Sequence, residues 1–447
     1  MTLITVPIII YVLTLCLISS PYANDIAYYT VGNGKTLKVG ILGDSQLIHS
    51  DNDTYYNYTS HLYKAFQVLK DRNVNVIIFT GDIANTASEY GFKIFKKAFD
   101  DTFNNPETKP ILNLLMGNHD YWFNRYISTI SISSQRLFEN IFQEKPFTHK
   151  VINGFHFINW SSIDSSSVTS NANIMWAKQH IQIAINDNST RPVFVSTHLA
   201  PYNTIYGSIN WGNRLISLLL KDYYQVVSFS GHSHFSLMDE RSLWQKEFTA
   251  ITTQAVAYIE LEFGKENGCV PKDEYNDKEF SRRNYMGIVM DVDEDKIELQ
   301  RVSFEKDVNY KEPWVIEMPM NKSNFKYVRD NANNEYDFPY FPKDYIIQYK
   351  QVEHNGKKFR HLMFTQAKIN KGLVHTYRVV FQKEGSKDND KMEFLYFSDF
   401  ILLPEDRSEI YTVKIPRKIT KGKYTVEITA IESFGNESET ISGIINI

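Results

Sequence analysis

Five runs of apolar, mostly branched residues, each broken off by a short polar island, constrain this chain more than any other feature. The runs span 37–42, 76–80, 111–116, 193–196 and 226–230. The islands behind them are Gly43-Asp44-Ser45-Gln46, Gly81-Asp82, Gly117-Asn118-His119-Asp120, Thr197-His198 and Gly231-His232-Ser233-His234. Short apolar runs separated by helix-like segments read as buried parallel strands. In such sheets ligands bind outside the carboxyl ends of the strands. Carboxylates, imidazoles and one amide therefore converge on one rim, which is what a metal site requires. Any one island is an ordinary turn or a paired histidine; five in succession are not what scattered turn residues produce.

The order and content of the islands resemble the calcineurin-like metallophosphoesterases, over roughly residues 36–301. The resemblance implies an α/β fold, a four-layer αββα sandwich, with a dinuclear metal centre. Position by position it implies one ion held by Asp44, Asp82 and His234, with Gln46 beside them. The other would be held by Asp82, Asn118, His198 and His232, with Asp82 bridging. Two such ions clamp a phosphoryl group and hold a hydroxide between them as the nucleophile. His119 is implied as the catalytic residue beside the substrate, stabilising charge or protonating the departing alkoxide. Asp120 is expected either to orient His119 or a ligand's ring, or to cap a helix.

The first island departs from the family in carrying Gln46 where a histidine is usual. An amide oxygen can still ligate, and makes that site harder. The cofactors expected are two divalent ions from the set Mn, Fe, Mg and Zn, with Mn or Fe favoured. Alternatively Gln46 only hydrogen-bonds a water at the metal. Purple acid phosphatases, a related branch, place a Tyr three residues after the second-island Asp; Asn85 stands there and argues against a charge-transfer iron site. The loop 201–213 follows His198 directly, so Tyr206 and Trp211 are expected to bind substrate by stacking on an aromatic or sugar leaving group, or else to be packing residues. His49, His61, His149, His156, His180, His354, His361 and His375 lie outside the islands and are read as structural.

With 22% charged residues and a net charge of −4, composition offers no basic face, so nucleic acid is not expected as a partner and a small phosphate ester is. Residues 2–18 are almost continuously apolar and 19–23 are small, which reads as a secretory signal cleaved after Ala23 and places the protein outside the cytoplasm. Left uncleaved, the same run would anchor the chain in a membrane. Of the two cysteines, Cys16 lies in that segment and leaves Cys269 without an internal disulfide partner. The expected organisation is a signal at 1–23, a metallophosphoesterase domain at 24–318, a linker at 319–340 and a β-sandwich at 341–447. The last of these resembles fibronectin type III modules, chiefly over 422–436. The expected function is an exported phosphoesterase acting on phosphate mono- or diesters. The rival is a surface binding protein whose catalytic domain has lapsed, for which Gln46 is the single pointer; a nuclease is a third option.

Overall fold

The computed structural model describes residues 26–48, 58–122, 131–162, 164, 170–260, 262, 284–329, 336–354, 357–387 and 390–447. The expected signal at 1–23, His49, Cys269 and the middle of the expected linker, 330–335, lie outside the described residues.

In chain order the first half runs β1 (Ile26–Tyr29), β2 (Leu37–Leu42), α1 (Thr59–Asp71), β3 (Val76–Phe79), α2 (Glu89–Thr102), β4 (Ile111–Leu114), α3 (Ser131–Phe142), β5 (Phe147–Ile152), β6 (Phe155–Trp160) and α4 (Asn171–Asp187). It continues through β7 (Val193–Thr197), β8 (Ala200–Pro201), α5 (Ser208–Trp211), β9 (Gly212–Asn213), α6 (Arg214–Leu220), β10 (Val226–Ser230), β11 (Leu243–Gln245) and β12 (Thr249–Thr252). The hairpin ladder β13 (Met286–Val292), β14 (Lys296–Ser303) and β15 (Val308–Glu317) closes it. One sheet has the order β15-β14-β13-β2-β3-β4, the other β1-β5-β6-β7-β10-β12-β11.

Strand alternation builds the layers. Val76 and Ile78 of β3 join the core between the two sheets, while Ile77 and Phe79 join the core under α1, α2 and α3. On the other side Phe155 and Phe157 of β6 face inward, and Ile158 and Trp160 pack under α4 and α6. Each such burial contributes about 1.5–3 kcal/mol. Helix α2 starts where Ser88 Oγ accepts the Gly91 N–H at 3.2 Å, a side-chain cap for an otherwise orphan donor. Its buried Phe92, Phe95 and Phe99 lie on one face, and Phe95 meets Phe79 edge-on at 4.7 Å. The result is the expected αββα sandwich.

Two local features of this half depart from simple strand alternation. Strand β12 is four residues long, because the chain beyond Thr252 turns to run along the loop after β2. There Val256 N–H donates to Gly43 O at 2.9 Å and Ala257 N–H to Asp44 O at 3.0 Å. The β5–β6 hairpin was not expected. Its turn is Asn153-Gly154, both at positive φ (51° and 77°), the commonest two-residue hairpin chemistry.

Beyond this first half, β16 (Ile347–His354), β17 (Lys357–Thr365), β18 (Val374–Lys383), β19 (Met392–Phe397), β20 (Ile410–Lys414), β21 (Lys423–Glu432) and β22 (Ile441–Asn446) form a second unit. They make two antiparallel sheets, β16-β17-β20 and β19-β18-β21-β22, around one apolar core. That is a seven-stranded β-sandwich. Part of the stretch expected as a linker is docked rather than free. Tyr327 O accepts the Gln245 N–H of edge strand β11 at 3.0 Å, and Arg329 donates to Arg241 O at 2.7 Å.

Candidate metal centre

The loops after β2 and β3 run side by side, with Asp44 N–H donating to Gly81 O and Gln46 N–H to Asp82 O, both at 2.9 Å. Asp44, Gln46, Asp82, His232 and His234 all have left-handed backbones, with φ of 55°, 41°, 52°, 67° and 55°. For a non-glycine residue this conformation costs roughly 1–2 kcal/mol. The kink turns each side chain off its strand end and into the rim, and strain of this sort collects at functional sites. Glycines allow the loops to close in. A Cβ on Gly117 would lie 2.1 Å from Asp82 Oδ1, and one on Gly231 2.2 Å from Asp44 Oδ2.

The side chains so delivered converge. Asp82, His198 and His232 form one group, and Asp44, Asp82 and His234 another, each with its donor atoms within 4.8 Å of one another. His198 Nε2 lies 3.3 Å from Asp82 Oδ2, 2.9 Å from Asn118 Oδ1 and 3.2 Å from His232 Nδ1. His234 Nε2 lies 3.2 Å from Asp44 Oδ1 and 3.3 Å from the Gln46 amide. Asp82 is the shared member.

Hydrogen bonds to carbonyls set the ring tautomers, because a carbonyl can only accept. His198 Nδ1–H donates to Thr80 O at 2.8 Å, and His234 Nδ1–H to Tyr258 O at 3.1 Å. In a neutral ring each Nε2 would then be a lone pair set against a carboxylate, a conflict that only added positive charge relieves. Asp82 Oδ1 accepts the His119 N–H at 2.8 Å, whereas its buried Oδ2 accepts no well-formed hydrogen bond. A buried acceptor without a donor is costly. Burial disfavours the charged His198 ring, yet Asp82, helped by Asp44, outweighs it and lifts the ring to about 9. Burial and His198 beside it press His232 down to about 3. Burial opposes ionisation of Asp82 too, but His198, His119 and His232 hold its carboxyl well below the usual range.

So the cluster gathers acceptors and demands positive charge. Oxygen and imidazole donors in two triads sharing a carboxylate fit two divalent cations, and the orphaned Oδ2 of that carboxylate, Asp82, is the buried acceptor that calls for positive charge. Binding them would displace the proton that His198 otherwise keeps.

Other expected residues fall differently. His119 Nδ1–H donates to Asn85 O at 3.0 Å, so its Nε2 looks toward Asp82 Oδ2, 3.9 Å away. Asn85, not Asp120, orients that ring. Asp120 neither touches the reacting rim nor caps a helix: its buried carboxylate accepts the N–H groups of Ile83 (3.3 Å), Ala84 (2.9 Å) and Gly117 (2.9 Å), pinning the Asp82 loop to the Asn118 loop. Trp211 stands at the rim, its ring 5.6 Å from His232. Tyr206 does not; it is buried under Arg241 and faces His375 of the sandwich.

Two aromatic neighbours were missed by sequence reasoning. Trp122, 43% exposed, lies 3.8 Å ring to ring from His119, and Tyr258 lies 4.5 Å from His234. Trp122 follows the Asn-His-Asp island by two residues and was open to the same loop argument as Trp211. Tyr258 carried no comparable signal.

Residues 37–236 match the family model described as calcineurin-like phosphoesterase. No curated protein matches the chain. Among solved structures, similarity is found to a dimetal phosphatase from Danio rerio, at 13% identity over 63% of this chain and 99% of that one, TM-score 0.40. A purple acid phosphatase from yellow lupin seeds matches at 11% identity over 63% of this chain and 54% of that one, TM-score 0.43. Chicken CNTN1 FN1-FN3 domains match at 10% identity over 36% of this chain and 44% of that one, TM-score 0.17. The family match and the acceptor-lined cluster agree: the chain carries a calcineurin-like phosphoesterase domain over residues 37–236 and is a phosphoester hydrolase.

Proposed function

We propose that the protein is a metal-dependent phosphoesterase that hydrolyses phosphate mono- or diesters at the rim of the two sheets. The observation that carries this is the pair of donor triads meeting at Asp82. One ion would be held by Asp44, Asp82 and His234 with the Gln46 amide beside it, the other by Asp82, Asn118, His198 and His232. Bound there, the two cations supply charge to the phosphoryl oxygens and acidify the attacking water.

The chain's own residues do the rest. The Asp82 carboxylate, gripped at Oδ1 by the His119 N–H, would be a ligand common to both ions. His119, fixed at Nδ1 by the Asn85 carbonyl, presents Nε2 and there carries a proton to the leaving oxygen. Trp122 and Trp211 border His119 and His232, and give a flat leaving group faces to lie against. Mn or Fe suits the oxygen-rich Gln46 side.

Export is the companion proposal, supported by the apolar run 2–18 and the small residues 19–23. No helix among the described residues is long and apolar enough to cross a membrane. N-terminal sequencing of the secreted protein beginning at Asn24 is the expected result; retention with residues 1–23 attached would overturn cleavage.

The catalytic test uses chelator-stripped protein reloaded with Mn. Hydrolysis of an aryl phosphate or its bis-aryl diester is expected, and the ratio of the two rates ranks mono- against diesters. Two bound ions with no turnover of either would sink the reading.

A further inference from the structure

We infer that the C-terminal sandwich belongs to the scaffold of the metal centre: it seats Ile259 behind His234 and holds Tyr206 in the loop after His198, so it positions the centre from two sides. The kinetic arm of this inference rests on the phosphoesterase reading; the metal-retention arm does not.

The first contact is apolar. Residues 256–260 back the ligands directly. Ala257 N–H donates to Asp44 O at 3.0 Å, Glu260 N–H to His234 O at 3.0 Å, and Tyr258 O takes the His234 Nδ1–H at 3.1 Å. Ile259, between these anchoring residues, is buried at 3% exposure in one cluster with Leu373, Phe397, Phe400 and Ile401, all from the sandwich. A ligand held in a left-handed backbone, as His234 is, persists only where its surroundings over-determine it. Here part of those surroundings comes from the other unit.

The second contact is polar. Tyr206 Oη lies 2.9 Å from His375 Nε2 of β18, and the Arg241 guanidinium sits 4.1 Å over the Tyr206 ring. Asp239, five residues after His234, binds Arg241 at 2.7 Å and accepts the Ser433 hydroxyl of the sandwich at 3.0 Å. Tyr206 N–H donates to Arg241 O at 2.8 Å, joining the two loops. The loop so held carries Trp211 to His232 five residues later. A tethered module would meet its neighbour through a solvated rim; these contacts are buried and end on the segments that carry ligands.

The test uses the full-length Mn-loaded protein. Ile259→Ala should lose one of its two ions at a chelator concentration about tenfold lower than the parent does, the scale of effect expected of groups that support ligands. Tyr206→Phe and His375→Ala should keep both ions and raise KM for an aryl phosphate several-fold more than they lower kcat. His375→Gln, whose amide can still meet the Tyr206 hydroxyl, should restore KM. Unchanged ion retention in Ile259→Ala together with unchanged KM in Tyr206→Phe and His375→Ala would overturn the inference, even if Tm fell. Should Ile259→Ala not accumulate folded, Ile259→Val is read by the same criterion. A parent that holds two ions without turnover would defeat the phosphoesterase reading alone and leave the ion-retention comparison standing.

Discussion

Two groups of three histidines lie among the described residues, and they solve opposite problems. At the rim, His198, His232 and His234 meet Asp44 and Asp82. In the interior, His180 of α4, His149 of β5 and His156 of β6 form a line that ends on Asp187. The spacings are 2.8 Å from His180 Nδ1 to His149 Nδ1, 2.8 Å from His149 Nε2 to His156 Nδ1, and 3.1 Å from His156 Nε2 to Asp187 Oδ2. If each ring donates toward Asp187, every contact has one donor and one acceptor, and no added charge is needed. Burial, with His156 and His180 beside it, lowers His149 to about 3, and burial lowers His180 to about 4, so these two rings are neutral at ordinary pH. At the rim, His198 and His234 have already spent their Nδ1–H groups on carbonyls, so neutral rings would set acceptor against acceptor and the site draws in added positive charge. The count of histidines does not mark a metal site; where their donors are spent does.

The sharpest attempt to break this contrast is Asp82→Asn. A neutral amide cannot balance two cations, so fewer than two ions should remain. Turnover should fall by well over the roughly 10–100-fold typical of residues that only support ligands. Retention of both ions by elemental analysis, with turnover near the parent's, would refute the sharing of Asp82. Next in size, His119→Ala should keep both ions and lose about 10²–10⁴-fold in turnover. Surviving turnover would remove that imidazole from the mechanism.

The interior line predicts the reverse pattern. His149→Phe removes the ring that His180 Nδ1 and His156 Nδ1 bond and should cost about 1–3 kcal/mol of stability in denaturant unfolding. Metal content and turnover should not change; loss of an ion would show that the two histidine groups are not independent.

Acid provides a gentler probe. The folded values of His149 and His180, about 3 and about 4, lie below the ordinary 6.5, so the folded state binds fewer protons than the unfolded one. Their contribution to stability is present above about 6.5 and is lost as pH falls toward 4 and then 3. Glu432 works the other way. Burial raises it from 4.5 to about 7, so its contribution is present below about 4.5 and is lost as pH rises through 7. Tm measured against pH should therefore lose part of its acid limb in His149→Phe and part of its fall toward neutral pH in Glu432→Gln. Superimposable curves for parent and variants would contradict both assignments.

The smallest effect is at Gln46. Glycine accepts a left-handed backbone without strain, so Gln46→Gly should stabilise the metal-free protein by up to about 1 kcal/mol while loosening metal on the Asp44 side. A destabilised metal-free variant would show that the Gln46 side chain, not its backbone, matters most there.

Much of the site was legible because strand ends in an α/β sheet face one rim, so islands far apart in sequence become neighbours once the runs are recognised as strands. That rule brings together the islands carrying Asp44, Asp82, Asn118, His198, His232 and His234; which of their residues ligate is what the family resemblance implied. Neither placed Tyr206 and Asp120 correctly. Both sit in the right loops, but a loop residue's direction is set by what packs against it, here His375 for one and three backbone N–H groups for the other. The Asn153-Gly154 hairpin was readable and went unread. Seven strands make the sandwich, and the last, Ile441–Asn446, alternates in burial although its sequence sets Ile444 and Ile445 side by side.

What the sequence determined by itself is the inventory: which strands end in which donors, and that hard oxygen and imidazole groups outnumber any cation able to satisfy them locally. Periodicity and turn chemistry are local, and local rules suffice for them. Only the tertiary structure decided how those donors are used, since a ring tautomer, an orphaned carboxylate oxygen or an isoleucine lodged in a neighbouring sandwich depends on atoms from two dozen to well over a hundred residues away along the chain. Hydrogen bonding and close packing act through space, so they become readable only after the fold has chosen the neighbours.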